Sequence, residues 1–227
     1  MQKRVQVLSL GGSLIVPNKI NLEFLRKFRE VINKNKSKYK FVIVCGGGSV
    51  ARKYIQALNE DKKSEYLQSL VGISITRLNA RFMSYFFGID PEKGIAHDMK
   101  NVENLLKKND IIFCGALRYA PNQTSDATAC KLAAFLKTDF INLTNVKGLY
   151  DKNPELKGAK FIERTSIAEF NKIVMAIPNK PGMHAPVDHV AMKVIRENKI
   201  KTYIIGPDTK QLDNLLNNKD FIGTTVE

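Results

Sequence analysis

The chain has 227 residues, 44% of them hydrophobic and 26% charged, with no low-complexity tract. That is enough for a full core, and no apolar run approaches the roughly 20 residues of a membrane helix. Net charge is +14, from 36 Lys+Arg against 22 Asp+Glu. Such a balance fits either nucleic-acid association or a basic cleft for anionic small molecules. The lysines are scattered, densest over Asn33–Lys38, and no helix-turn-helix, zinc or RNA-recognition signature is present.

Strands are expected over 4–10, 40–45, 110–114, 139–144 and 201–206, with short ones near 94–97 and 221–226. Helices are expected over 21–34, 49–60, 64–87, 99–108, 125–137, 166–175, 186–198 and 208–217. Ser166-Ile167-Ala168-Glu169 has the form of a capping box. Strands alternating with helices predict an α/β fold, a mostly parallel sheet covered on both faces, with ligands outside the carboxyl ends of its strands. No linker and no internal repeat divides residues 1–227, which read as one domain with an N-terminal lobe over about 1–135 and a C-terminal lobe over about 136–227.

The three cysteines, Cys45, Cys114 and Cys130, lie in apolar stretches without metal-ligand spacing. Buried free thiols in a reducing cytoplasm are the expectation. The N-terminus, Met1 to Val5, runs into the first strand without a signal-peptide pattern, and a cytoplasmic location is expected. The histidines His97, His184 and His189 share no spacing that marks a metal site.

Two glycine turns each close an apolar strand and open a helix: Leu10-Gly11-Gly12-Ser13, and Cys45-Gly46-Gly47-Gly48-Ser49 with Arg52 about one helical turn further on. Glycine admits close backbone approach, and a helix start presents free N–H groups to phosphate. Neither turn is a P-loop or a dinucleotide fingerprint. Two of them in one chain suggest two phosphates handled face to face, with Arg52 within reach of one.

Three further segments are rich in polar groups. Ile112 to Ala127 runs strand, polar loop, helix, and Thr124, Ser125 and Asp126 suit an N-cap and first turn. Asn142 to Pro154 ends a strand at Thr144, and its Tyr150 is read either as a base-stacking ring or as half-buried packing. Lys193 stands within the apolar Val190-Ala191-Met192-Lys193-Val194-Ile195, where a pocket-facing ammonium and a snorkelling surface lysine are both open.

Taken in order, the motifs resemble the amino acid kinase family, in its archaeal-type uridylate kinase branch. They are Leu10-Gly11-Gly12-Ser13, Gly46-Gly47-Gly48-Ser49-x-Ala51-Arg52-Lys53-Tyr54-Ile55, Gly72-Ile73-x-Ile75-Thr76-Arg77-x-Asn79-Ala80, Pro121-x-Gln123-Thr124-Ser125, Thr144-Asn145-Val146-x-Gly148-x-Tyr150, Ala191-x-Lys193 and the ending Gly223 to Glu227. The resemblance implies a three-layer αβα sandwich and a kinase carrying the ATP γ-phosphoryl group to UMP with Mg²⁺. It implies that Gly11, Gly12, Ser13, Gly48 and Arg52 hold the ATP phosphates, and that Thr144 and Tyr150 border the ATP nucleoside. Gly47, Pro121, Asn122, Gln123, Thr124 and Ser125 would hold UMP, and Lys193 would neutralise the transferred group as the catalytic residue. No metal-ligating residue is implied. Homo-oligomers, hexamers in the family, are expected.

Several positions depart from the family pattern. Ser9 stands where many members carry a lysine, and Ser69 where an aspartate binds the ribose. Lys147 and Asn153 replace aspartates, and Asn122 replaces a glycine. The acid losses at 69, 147 and 153 push the site positive. They leave open a same-fold kinase with another acceptor, such as isopentenyl phosphate, towards which Phe82, Phe86 and Phe87 would point. A catalytically weak nucleotide-binding regulator is also open.

Overall fold

The computed structural model describes residues 3–90, 95–119, 124–177 and 186–227. Strand β1 (Arg4–Leu10) pairs in parallel with β2 (Tyr39–Cys45) on one side and with β4 (Phe140–Leu143) on the other. The main sheet has the order β3-β2-β1-β4-β8-β9-β7, where β3 is Ile111–Cys114, β8 Thr202–Ile205, β9 Thr224–Val226 and β7 Arg164–Thr165. Its first five strands are parallel, whereas β9 runs antiparallel to β8. A separate two-stranded ribbon joins β5 (Leu149–Tyr150) and β6 (Phe161–Ile162).

The central strands are apolar without alternation because helices cover both faces. Phe41, Val42, Ile43, Val44 and Cys45 are fully buried, as are Val7, Leu8 and Leu10. The helix α2 (Leu22–Asn35) buries Phe24, Leu25, Phe28 and Ile32 on one stripe and packs against α9 (Thr209–Leu216). The Asn21 side chain caps its start. The long α4 (Glu65–Phe86) crosses α3 (Gly48–Glu60) and lies on β3, while α6 (Ser125–Phe135) packs on β1 and against α8 (His189–Asn198).

The expected strands and helices are present with ends shifted by no more than three residues, apart from three differences. Residues 95–97 are not a strand. The terminal strand begins only at Thr224. The one-turn α1 (Gly12–Ile15) and the two-residue strands β5, β6 and β7 were not anticipated, being too short to show a period. Ser166 caps α7 (Ile167–Ala176) by accepting from the Glu169 N–H at 3.1 Å. The Glu169 carboxylate pairs with Lys172, so only half of the expected capping box forms.

Candidate functional site

From β1 the chain goes first to β2 on one side and later to β4 on the other. The strand order therefore reverses at β1, and a crevice opens beyond the carboxyl ends of β1 and β4. Gly11 sits at that point and its N–H donates to Leu143 O at 2.9 Å.

The two glycine turns meet there, backbone against backbone. A Cβ on Gly12 would lie 1.9 Å from Gly48 N, and one on Gly46 would lie 2.4 Å from Gly12 N. Gly48 has φ +65°, and a Cβ there would also strike Gly12 O at 2.5 Å. Only glycine satisfies these positions. Gly46 N–H donates to Leu10 O at 2.9 Å and Ser49 N–H to Val16 O at 3.0 Å. Among the described residues, the N–H groups of Gly12, Ser13, Gly47 and Gly48 have no backbone hydrogen-bond partner. Ser49 N–H, at the start of α3, is taken by Val16.

Below the turns lies a polar network whose hydrogen bonds the sequence reading did not anticipate. Ser9 is fully buried on β1, and its hydroxyl donates to Asp126 Oδ1 at 2.6 Å. Burial pushes the Asp126 carboxyl up to about 6, against the Ser9 hydrogen bond that lowers it; the nearby Asp188 charge adds to the rise. Asp188 caps α8, accepting from Ala191 N–H at 2.8 Å, and its other oxygen accepts from the Thr124 hydroxyl. Asn142 on β4 donates to Pro186 O at 2.6 Å, which holds the segment leading into α8. Asn79 on α4 donates to Gly46 O at 2.7 Å and pins the second turn from behind. Ser9 and Asn142 had a legible signal, each being a polar residue inside an apolar strand. Asp188 was hidden because the helix was expected to begin at 186, before its cap.

The remaining expected residues fall as follows. Arg52 lies exposed on α3, one turn beyond the glycines. Thr144 is half-buried at the end of β4, and its N–H donates to Ile205 O at 2.9 Å. Tyr150 is half-buried on the β5–β6 ribbon, its ring centroid 5.6 Å from that of Phe161. Thr124 caps α6 and Ser125 opens it. Pro121, Asn122 and Gln123 lie outside the described residues. Lys193 occupies the outer face of α8, its side chain 67% exposed and 3.9 Å from Glu197. Of the two readings left open for it, the surface lysine is the one seen. The buried positions of α8 are Ala191, Met192 and Ile195, which leaves 193 on the opposite side.

Phe82, Phe86 and Phe87 belong to an aromatic cluster. Phe86 and Phe87 approach each other, and Phe87 packs on Phe28 and on Phe113. Thr76, which faces the Gly47 turn, is ten residues before Phe86, roughly 15 Å along the helix. These rings are half-buried and pack against the hydrophobic core. Cys45, Cys114 and Cys130 are buried and free, as expected, and burial raises all three thiols, Cys114 to about 12.

A parallel sheet with facing glycine turns at its switch point defines a fold built to hold phosphates. The profile of the amino acid kinase family matches residues 4–206, and the chain belongs to that family. It is 34% identical over 224 residues to a uridylate kinase of Thermococcus kodakarensis, covering 97% of this chain and 98% of that one. It is 36% identical over 202 residues to a uridylate kinase of Archaeoglobus fulgidus, covering 88% and 89%. The crystal structure of uridylate kinase from Archaeoglobus fulgidus superposes with a TM-score of 0.82 at 33% identity over the full length of both chains. That of UMP kinase from Ureaplasma parvum superposes with 0.80 at 21% identity and supports the fold.

Proposed function

We propose that the protein is a UMP kinase that transfers the γ-phosphoryl group of ATP to UMP. A phosphate oxygen of UMP attacks the γ-phosphorus, the bond from that phosphorus to the β-phosphate oxygen breaks, and UDP and ADP result. The observation that carries this reading is the backbone contact of the two glycine turns, which brings two sets of free N–H groups to one crevice. The nucleophile is already anionic, so the chain supplies position and charge and no general base.

In this reading Gly11, Gly12, Ser13 and Gly48 surround the ATP phosphates, with Arg52 reaching over them. Thr144 and Tyr150 border the ATP nucleoside, in a C-terminal lobe over about 136–227. Gly47, Thr124 and Ser125 face UMP in an N-terminal lobe over about 1–135, together with Pro121, Asn122 and Gln123. The Asp126 carboxylate holds the Ser9 hydroxyl in one orientation beneath the turns. Lys193, on an outer face, must turn inward past Glu197 to meet the transferred group.

Among the described residues no three His, Cys, Asp or Glu side chains converge as a metal cage. That fits Mg²⁺ entering on the phosphates of ATP, where it supplies charge neutralisation. Half-exposed apolar residues along α4, with Leu78 58% and Tyr66 50% exposed, favour homo-oligomers, hexamers among them. A cytoplasmic site of action suits nucleotide substrates, and no described helix is long and apolar enough to cross a membrane. Radiolabel carried from the γ-position of ATP into UDP tests the reading; label released only as inorganic phosphate would contradict it.

A further inference from the structure

At the opposite end of the sheet from the glycine turns lies a groove of about 680 Å³. Its walls are Lys172 on α7, Arg196 and Lys199 at the end of α8, Lys201 before β8, and Glu227 after β9, over a floor of Ile167 and Ala168. The phosphate turns follow the carboxyl ends of β1 and β2, whereas Lys201 precedes the amino end of the parallel β8. At least the four-residue length of that strand, roughly 13 Å, separates the two regions. The groove is therefore not part of the crevice described above.

Its charges are unequal. Glu227 is occupied twice, by Lys201 at 2.5 Å and by Arg164 at 2.5 Å. Lys172 pairs with Glu169 at 2.7 Å. Arg196 and Lys199 have no carboxylate within ion-pair distance among the described residues, although both line the groove. Cations that stay close together without a partner repel one another and leave a positive potential that attracts a counter-ion. An apolar floor beneath such a rim suits a ligand with an anionic end and a less polar body. A volume of this size lies within the range of small-molecule sites.

We propose that this groove is a second binding site, for a phosphate-bearing small molecule, with Arg196 and Lys199 as its primary contacts and Lys172 and Lys201 at the rim. The ligand's phosphate sits between the end of α8 and the start of β8. Its remaining part lies over Ile167 and Ala168. Because the site is remote from the chemistry, its occupancy is read as binding, separately from turnover.

The test is calorimetric titration of the full chain with inorganic triphosphate and with UTP, in wild type and in the double variant Arg196→Gln/Lys199→Gln. Wild type should bind more than one triphosphate per chain. The double variant should lose one of these sites or weaken it by about tenfold or more, as expected for removing charged hydrogen bonds. Its turnover and melting temperature should match wild type, which shows that it has folded. Tighter groove binding of UTP than of triphosphate would assign a role to the apolar floor, and equal binding would make phosphate the whole determinant; both support the site. Identical stoichiometry and affinity in the two proteins would overturn it. So would a double variant that loses only the binding of a short duplex DNA, which would make the face a nonspecific nucleic-acid surface.

Discussion

Ser9 and Asp126, 117 positions apart in the chain, are joined by a hydrogen bond of 2.6 Å from the serine hydroxyl to the aspartate Oδ1. The bond ties the second-last residue of β1 to the first turn of α6, directly under the Gly11–Gly12 turn. Burial lifts the carboxyl to about 6 from an ordinary value of 3.8. The native state therefore holds this proton more tightly than the unfolded chain does. Between about pH 4 and pH 6 that difference makes stability fall as pH rises, and above pH 6 the full cost of the buried charge remains. By the same linkage that cost is at most about 3 kcal/mol, and less where water reaches the half-buried residue. Asp126→Asn should accordingly be more stable than wild type at pH 8, by an amount that shrinks towards zero below pH 4, as read by urea unfolding across pH. The same variant should turn over more slowly, since the acceptor for Ser9 loses its charge.

Gly12→Ala puts a methyl group 1.9 Å from Gly48 N, a backbone atom that no side-chain rotation can move. The turns must part. A loss of about 2–4 kcal/mol is expected, together with at least a hundredfold fall in kcat/KM, a steep response to about 1 Å of displacement. Gly88→Ala is the control. Gly88 also has positive φ, at +71°, but its Cβ meets nothing within 4 Å. That variant should lose only about 1–2 kcal/mol from backbone strain and keep its activity.

Asn79 is 6% exposed and its amide supports Gly46 O at 2.7 Å. Asn79→Ala leaves that carbonyl without its donor and should cost about 1–3 kcal/mol. Asn79→Asp should cost more, because a carboxylate then faces a carbonyl oxygen. Chemical denaturation ranks the two, and the reverse order would show that Asn79 serves helix packing alone.

Lys147 is exposed at the end of the crevice beyond β4, with its backbone against Gly206. If it supplies the cation that Ser9 does not, Lys147→Ala should lower kcat by about tenfold or more with little change in stability. Lys193→Ala should do likewise if that ammonium swings in during turnover. Unchanged kcat in either variant removes that lysine from the reaction.

Much of this site was legible in the amino-acid sequence, because a covered parallel sheet writes its strands as unbroken apolar runs and ends them in glycine. Val5 to Ser13 and Phe41 to Arg52 carry the fold and the facing glycine turns together. Side-chain direction was less legible. Lys193 sits among apolar residues in sequence, but a helix turns 100° per residue and places it opposite Ala191, Met192 and Ile195. Ser9, the Thr124–Asp126 helix start and Asp188 converge from three distant segments, and neither periodicity nor spacing encodes such a meeting. The short strands β5 and β6 hold through Thr224, whose hydroxyl accepts from Leu149 N–H at 2.8 Å and donates to Ile162 O at 2.5 Å, a tertiary device invisible in a two-residue run.

The central claim is that this chain phosphorylates UMP with ATP. Its most direct test is kcat/KM for ADP release with MgATP against UMP, CMP, other nucleoside monophosphates and isopentenyl phosphate. Preference for UMP by about a hundredfold or more is the predicted result, corresponding to roughly 2.7 kcal/mol of discrimination. Faster turnover of isopentenyl phosphate, or ATP binding with no turnover of any acceptor, would contradict the account.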